Sequence, residues 1–275
     1  MKITRKKFIK KMGLTIANSL LTGLSFPNCF IDMEYSPFQT NVTHSNLNQL
    51  NLMMIKQIEQ SKGFNQPFNI ALFSDTHHYF QETEKVVHLI NARDDLDFAI
   101  IIGDITDIGL LTEFEWSYDI IKRLNIPYMM AIGNHDCLSK GIDIYEKMFG
   151  SLNYTFNYMG VEFIFFNNNN WESGYPDYNW LSTTSSQIKA DKKVLFSHIN
   201  NSNDAYNRFT VAEINRFNEI VHEHFSLVIH GHAHVNSSYV LIDGIPRYEI
   251  GSPGYGHYMI ASYDGDSFEV ERCRF

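Results

Sequence analysis

Three observations predict a layered α/β fold for this chain. From Phe68 onward, short apolar runs alternate with stretches of helical periodicity. Hydrophobic residues make up 44% of the 275, enough for one sizeable core. Towards the C-terminus, Asp243-Gly244 and Asp264-Gly265 supply the turn signals that hairpins require. The frequent, evenly scattered aromatics argue against a disordered or fibrous chain.

In chain order, residues 1–29 read as an export signal. Lys2, Arg5, Lys6, Lys7, Lys10 and Lys11 form a basic start, no acid precedes Asp32, and a modestly apolar stretch follows. That stretch is too short and too polar for a comfortable membrane span. Thr4-Arg5-Lys6-Lys7-Phe8-Ile9-Lys10 is similar to a twin-arginine signal with Lys6 in place of the second arginine. Cys29 is a candidate lipid-attachment site, although Phe26-Pro27-Asn28 lacks the usual small residues. The expected location is therefore outside the cytoplasm, periplasmic or lipid-anchored at the envelope, with Cys29 the only route of membrane attachment. Residues 30–66 are expected to be a linker and an N-terminal helix, because Leu47, Leu50, Met54, Ile55 and Ile58 recur at helical spacing.

Residues 67–275 form the main domain. Its strands are expected at 69–73, 98–102, 128–132, 161–166, 194–196 and 227–229, with shorter β-like runs around 239–242, 248–250, 258–263 and 268–271. Helices are expected at 82–91, 113–124, 142–149 and 211–224. Cys137 and Cys273 could pair in an oxidising compartment.

The charge is unevenly placed. Without the basic start, 16 basic residues face 31 acidic ones. Such a body repels nucleic acid and anionic membranes at long range, so no nucleic-acid partner is expected. An anionic small molecule would need a locally cationic or metal-charged cleft.

The chemistry lies just after the strands. Asp75-Thr76-His77 follows the first run, Gly103-Asp104 the second and Gly133-Asn134-His135-Asp136 the third; His198 and Gly231-His232-Ala233-His234 follow the last two. Carboxyl ends of strands are where loops converge on a ligand in an open sheet. Each cluster alone could be an ordinary turn or a satisfied buried histidine. Five in one order are an improbable accident.

In this order and spacing, these motifs closely resemble those of the calcineurin-like metallophosphoesterases, over about residues 67–260. Within that family they are most similar to the bacterial cyclic-nucleotide and glycerophosphodiester phosphodiesterase branch. The resemblance implies a four-layer αββα sandwich of two mixed β-sheets flanked by helices. It also implies two divalent or trivalent transition-metal ions, with Mn, Fe or Zn foremost. Asp75, His77, Asp104 and His234 would hold one ion; Asp104, Asn134, His198 and His232 would hold the other, with Asp104 bridging. A donor set of imidazoles and oxygens without thiolate suits such ions. A hydroxide shared by two ions about 3.5–4 Å apart would attack phosphorus in line. His135 would serve the leaving group, and Asp136 would orient it.

The departures bear on substrate. Protein serine/threonine phosphatases have an arginine where this chain has Ile108, and purple acid phosphatases have a metal-binding tyrosine where it has Asp107. A diester, with one non-bridging charge, needs less cationic help than a dianionic monoester. The expected substrate is therefore a small or lipid-derived phosphodiester. A phosphomonoesterase or nucleotidase on the same site is the alternative, and a non-catalytic metal-binding scaffold is the rival of another class. No His-Glu-x-x-His helix supports a metalloprotease. His222 and His224 are expected to be solvated, His78 a loop residue and His230 structural. The 251–257 loop with His257, and the aromatic loop 171–180, are candidates to approach the cleft.

Overall fold

The computed structural model describes residues 36, 38–174, 176–201, 209–241 and 243–275, without the side chain of Trp171. Segment 1–29, expected to be an export signal, lies outside them together with Cys29.

The central strands are nearly unbroken apolar runs, with Asn69 the one polar residue among β1–β3, because both of their faces are covered. Strands β1 (Phe68–Phe73), β2 (Phe98–Ile102) and β3 (Tyr128–Ala131) run parallel. Strand β10 (His257–Tyr263) pairs antiparallel with β1, and β11 (Phe268–Arg274) with β10, giving the order β11-β10-β1-β2-β3. Ile70, Leu72, Phe98, Ile100 and Ile102 face one cluster, whereas Ala71, Phe73, Ala99 and Ile101 face another. A period of two with both faces buried reads in sequence as a continuous run.

The second sheet contains β4 (Tyr154–Tyr158), β5 (Val161–Phe165), β6 (Lys192–Phe196), β7 (Leu227–His234), β8 (Ser237–Val240) and β9 (Pro246–Gly251). Its order is β4-β5-β6-β7-β9-β8. Phe163, Phe165, Val194, Phe196, Leu227 and Ile229 meet the first sheet's inner face in the central core.

Helices α2 (Phe80–Asn91), α3 (Leu111–Ile121) and α4 (Gly141–Met148) cover the first sheet through Val86, Ile90, Phe114 and Ile144. The short α5 (Asn170–Ser173) precedes α6 (Tyr178–Gln187), and α6 with α7 (Val211–His224) covers the second sheet through Leu181, Phe217, Ile220 and Val221. The result is the expected αββα sandwich.

Helix α1 (Leu47–Lys62) forms where expected but buries a different face. Leu50 and Met54 are 53% and 49% exposed, while Asn48, Asn51 and Glu59 are buried beside Leu47 and Ile55. The reason is the edge strand β3, whose backbone would otherwise be unpaired on one side. Asn51 Oδ1 accepts from the Tyr128 N–H at 2.9 Å; Asn48 accepts from the Met130 N–H at 3.0 Å and donates to its carbonyl at 3.2 Å. Further along, Glu59 accepts from the Met159 N–H, beside the second sheet's edge strand β4. One helix thus finishes the edges of both sheets with side-chain amides and a carboxylate.

Three other expectations are corrected. Strand β4 was not anticipated, because Tyr-Thr-Phe-Asn-Tyr carries polar residues between its aromatics. The Gly231–His234 segment is the end of β7 rather than a loop, with a β-bulge against β9 between His230 and His234. Cys137 and Cys273 are both free: the former is buried in the turn after β3, donating to the Gly133 carbonyl, and the latter lies on β11.

Candidate metal centre

The carboxyl ends of β1, β2 and β3 meet those of β6 and β7 at one rim of the sandwich. Backbone bonds lace the loops there together: Asp75 N–H donates to Gly103 O at 3.1 Å, His77 N–H to Asp104 O at 3.0 Å, and Gly231 N–H to His198 O at 2.9 Å. Gly133 is required by close approach, because a Cβ there would lie 2.1 Å from Asp104 Oδ1.

All seven expected ligands converge on this rim. Three overlapping groups each have donor atoms within 4.8 Å of one another: Asp75, His77 and His234; His77, Asp104 and His135; Asp104, His198 and His232. Asn134 joins the last group, its Oδ1 3.0 Å from His232 Nδ1. Asp104 lies between the two sets, with Oδ2 3.0 Å from His198 Nε2 and 3.7 Å from His77 Nε2.

Backbone strain is concentrated here. Asp75, His77, Asp104, His232 and His234 all have left-handed φ, between 41° and 70°. Such a conformation costs a non-glycine residue on the order of 1–3 kcal/mol and persists only where its surroundings fix it. The β7 bulge supplies two of these turns, aiming both of its alternate histidines at the rim.

The donor set fits metal ions. Asp75 Oδ1, His77 Nε2 and His198 Nε2 are buried without a well-directed hydrogen bond, their near neighbours being the other candidate ligands: Asp104 Oδ2 at 3.0 Å from His198 Nε2 and His234 Nε2 at 3.3 Å from Asp75 Oδ1. Buried polar atoms are rarely left so, and these three point into one place. Their other atoms are fixed: His198 Nδ1–H donates to Ile102 O at 2.7 Å, and Asp75 Oδ2 accepts from the His232 N–H at 2.9 Å. The field there favours positive charge. Burial alone would lower the pKa of His198, yet the Asp104 and Asp75 carboxylates push it up to about 10. Burial likewise opposes the Asp104 carboxylate, but His198, His77 and His135 hold its pKa below the ordinary range.

Asp136 does not orient His135. Its carboxylate accepts from the Thr106 N–H and hydroxyl at 3.0 and 2.9 Å and from the Gly133 N–H at 3.0 Å, tying the β2 and β3 loops together. Burial and then the Asp104 charge push its pKa up to about 7. The 3₁₀ turn His135–Cys137 directs the two neighbouring side chains apart. His135 Nδ1–H instead donates to the Asp107 backbone carbonyl at 2.6 Å, and the His135 N–H donates to Asp104 Oδ1 at 2.8 Å.

Asp107 was missed as a site residue. Its carboxylate takes His77 Nδ1 at 3.1 Å on one oxygen and His78 Nδ1 at 3.1 Å on the other. The signal available was its place three residues after Asp104, noted only as the absence of a tyrosine. His78 thus belongs to the rim. His230 is structural, with Nδ1 3.0 Å from Ser197 Oγ. The 251–257 loop does reach the centre: Ser252 Oγ donates to Asp75 O at 2.6 Å, and its N–H to His234 O at 3.2 Å. Tyr178 and Trp180 of the aromatic loop pack on Phe166 in the helix-side cluster.

Known proteins resemble the chain in the same region. A dimetal phosphatase from Danio rerio superposes with a TM-score of 0.61 at 11% identity, covering 74% of this chain and 95% of that one. A yellow lupin purple acid phosphatase gives 0.59 at 12%, covering 77% and 52%. GAP50, the anchor in the inner membrane complex of Plasmodium, gives 0.60 at 11%, covering 76% and 85%. These likenesses establish the fold; a protein named as an anchor shares it with two phosphatases. In sequence, a probable glycerophosphodiester phosphodiesterase GpdQ from Arcobacter nitrofigilis is 35% identical over 51 residues, 18% of this chain and 19% of that relative. The match spans about a fifth of the relative's length. The calcineurin-like phosphoesterase profile matches residues 68–236, the strands and turns that carry all seven ligand candidates, and by this match over more than half its length the chain belongs to that family.

Proposed function

We propose that the protein is a metal-dependent phosphodiesterase. The observation that carries the metal dependence is the convergence of seven donor side chains on one rim, with Asp75 Oδ1, His77 Nε2 and His198 Nε2 buried and facing only one another and the other candidate ligands. Two ions held there would supply Lewis acidity to phosphoryl oxygens and make water a competent nucleophile at neutral pH. Asp75, His77 and His234 would hold one, His198, His232 and Asn134 the other, and Asp104 would be shared between them. The His135 ring, its Nδ1–H committed to the Asp107 carbonyl, would deliver a proton from Nε2 to the leaving oxygen in its imidazolium form and be left as the neutral Nδ1–H tautomer that this carbonyl already holds. The Asp107 carboxylate fixes the tautomer of His77, and the Ile102 carbonyl fixes that of His198.

The diester preference rests on Ile108, 49% exposed beside Asp107, which offers the second charge of a monoester no partner. The short stretch similar to a probable glycerophosphodiester phosphodiesterase supports the same preference. The test is a paired assay with Mn²⁺, using bis-p-nitrophenyl phosphate and p-nitrophenyl phosphate, on wild type and Asp104→Ala. Faster diester cleavage that disappears in the variant is expected. Faster monoester cleavage would make the protein a phosphomonoesterase; bound metal without turnover of either would leave a metal-holding scaffold.

A further inference from the structure

Beside His234 the rim carries a feature that the metal chemistry does not use. Tyr255, in the 3₁₀ turn Pro253–Tyr255, is 54% exposed although its loop is tied to the centre through Ser252. Its ring centroid lies 6.1 Å from that of His234 and 6.1 Å from that of Tyr79, two residues beyond His77. His78 extends the row, its ring 4.5 Å from that of Tyr79 at 32°.

The row is held in place. Ser252 anchors the loop to the backbone of Asp75 and His234, and its hydroxyl also accepts from the Gly254 N–H at 3.0 Å. Gly254 lies against the Tyr79 ring so closely that a Cβ would meet it at 2.5 Å. Exposed rings are ordinarily free to reorient. Tyr79 is half-buried against a loop whose anchors are the backbones of two metal-ligand candidates, and Tyr255 rises from that same loop, so the bonds that shape the centre also set where the backbones of both tyrosines stand.

We infer that Tyr255 and Tyr79, their rings tilted 55° to one another, form an angled aromatic ledge on which a planar ring of the substrate's organic part stacks on one tyrosine face and meets the other at its edge. This rests on the phosphoesterase reading above and adds the substrate class: esters bearing an aryl or heteroaryl group, whether a simple phenyl or a nucleobase. Ring faces of this kind stack on any planar group with little regard for its edge pattern, which gives class preference without sequence-like specificity.

The experiment compares KM and kcat for diphenyl phosphate, dibutyl phosphate and a dinucleoside phosphate in wild type, Tyr255→Ala, Tyr255→Phe and Gly254→Ala, with Mn²⁺ and chromatographic detection of products. Loss of one stacking ring raises KM for the ring-bearing diesters by roughly 5- to 150-fold with kcat nearly unchanged. Dibutyl phosphate should change less than about twofold, Tyr255→Phe should stay near wild type, and Gly254→Ala, which displaces Tyr79, should follow Tyr255→Ala. A response to diphenyl phosphate but not to the dinucleoside phosphate would assign the ledge to simple aryl esters, and the converse to nucleobases. Equal changes for diphenyl and dibutyl phosphate, or none, would overturn the ledge while leaving the hydrolase intact. If wild type cleaves no diester, the hydrolase assignment fails instead; calorimetric binding of phenyl phosphate against butyl phosphate then tests the ledge alone, equal affinities refuting it.

Discussion

Replacing Asp107 should raise the metal requirement of the protein without slowing its chemistry once metal is saturating. The Asp107 side chain holds His77 through Nδ1 at 3.1 Å, while its backbone carbonyl holds His135 at 2.6 Å. Substitution removes the first contact and spares the second. Partners that orient a ligating histidine are typically worth 10- to 100-fold in metal affinity or activity. This carboxylate is 41% exposed, so water replaces it in part and the lower end applies. Asp107→Asn, which keeps an acceptor oxygen, should weaken binding about tenfold, or about 1.4 kcal/mol; Asp107→Ala should weaken it more. His78→Ala should have little effect, because that ring is itself exposed. Activity is measured against free Mn²⁺, with calorimetric titration as an independent readout. An unchanged activation constant together with a tenfold lower kcat would show that the carboxylate acts on the reaction and that its contact with His77 is incidental.

Four further outcomes are expected. His135→Ala should lower kcat by about 10²- to 10⁴-fold while metal binding persists, since its ring reaches the cleft but its N–H to Asp104 is backbone; loss of metal instead would make His135 a ligand. Asn48→Ala leaves the Met130 N–H of the edge strand unpaired and should cost about 1–3 kcal/mol, read as a lower denaturant midpoint at constant m-value; no change would mean that α1 does not stabilise that edge. Chelation should lower the melting temperature by several degrees, since each ion at a hundred times its Kd contributes about 2.7 kcal/mol, and calorimetry showing coincident transitions would count against the site. Asp243 is held below the ordinary carboxylate range by its hydrogen bonds to the buried Arg247, so its contribution is complete above pH about 4 and fades as pH falls through the lowered pKa. The stability gap between wild type and Asp243→Asn should accordingly narrow in acid, and a gap that widened there would contradict that sign.

The doubly buried strands were legible because covering both faces turns a period of two into an unbroken apolar run, as in Phe98–Ile102. The ligand candidates were legible because the rim needs polar residues directly after such runs. What was not legible depends on long-range pairing. Asn48, Asn51 and Glu59 look like a solvated helix face until an edge strand is placed beside them. Asp136 stands next to His135 in sequence, but the turn between them sends its carboxylate to Thr106 and Gly133. Asp107 gave no periodic signal, since its partners come from a different loop.

The five left-handed positions among the ligand candidates would place function and stability in opposition. A glycine at any of them would relax the backbone while deleting a donor, so the inactive protein has an easy path to a sturdier fold. Screens for thermal tolerance without metal should therefore enrich changes at these positions. A stabilised variant of this protein is trustworthy only if it was selected with ions present.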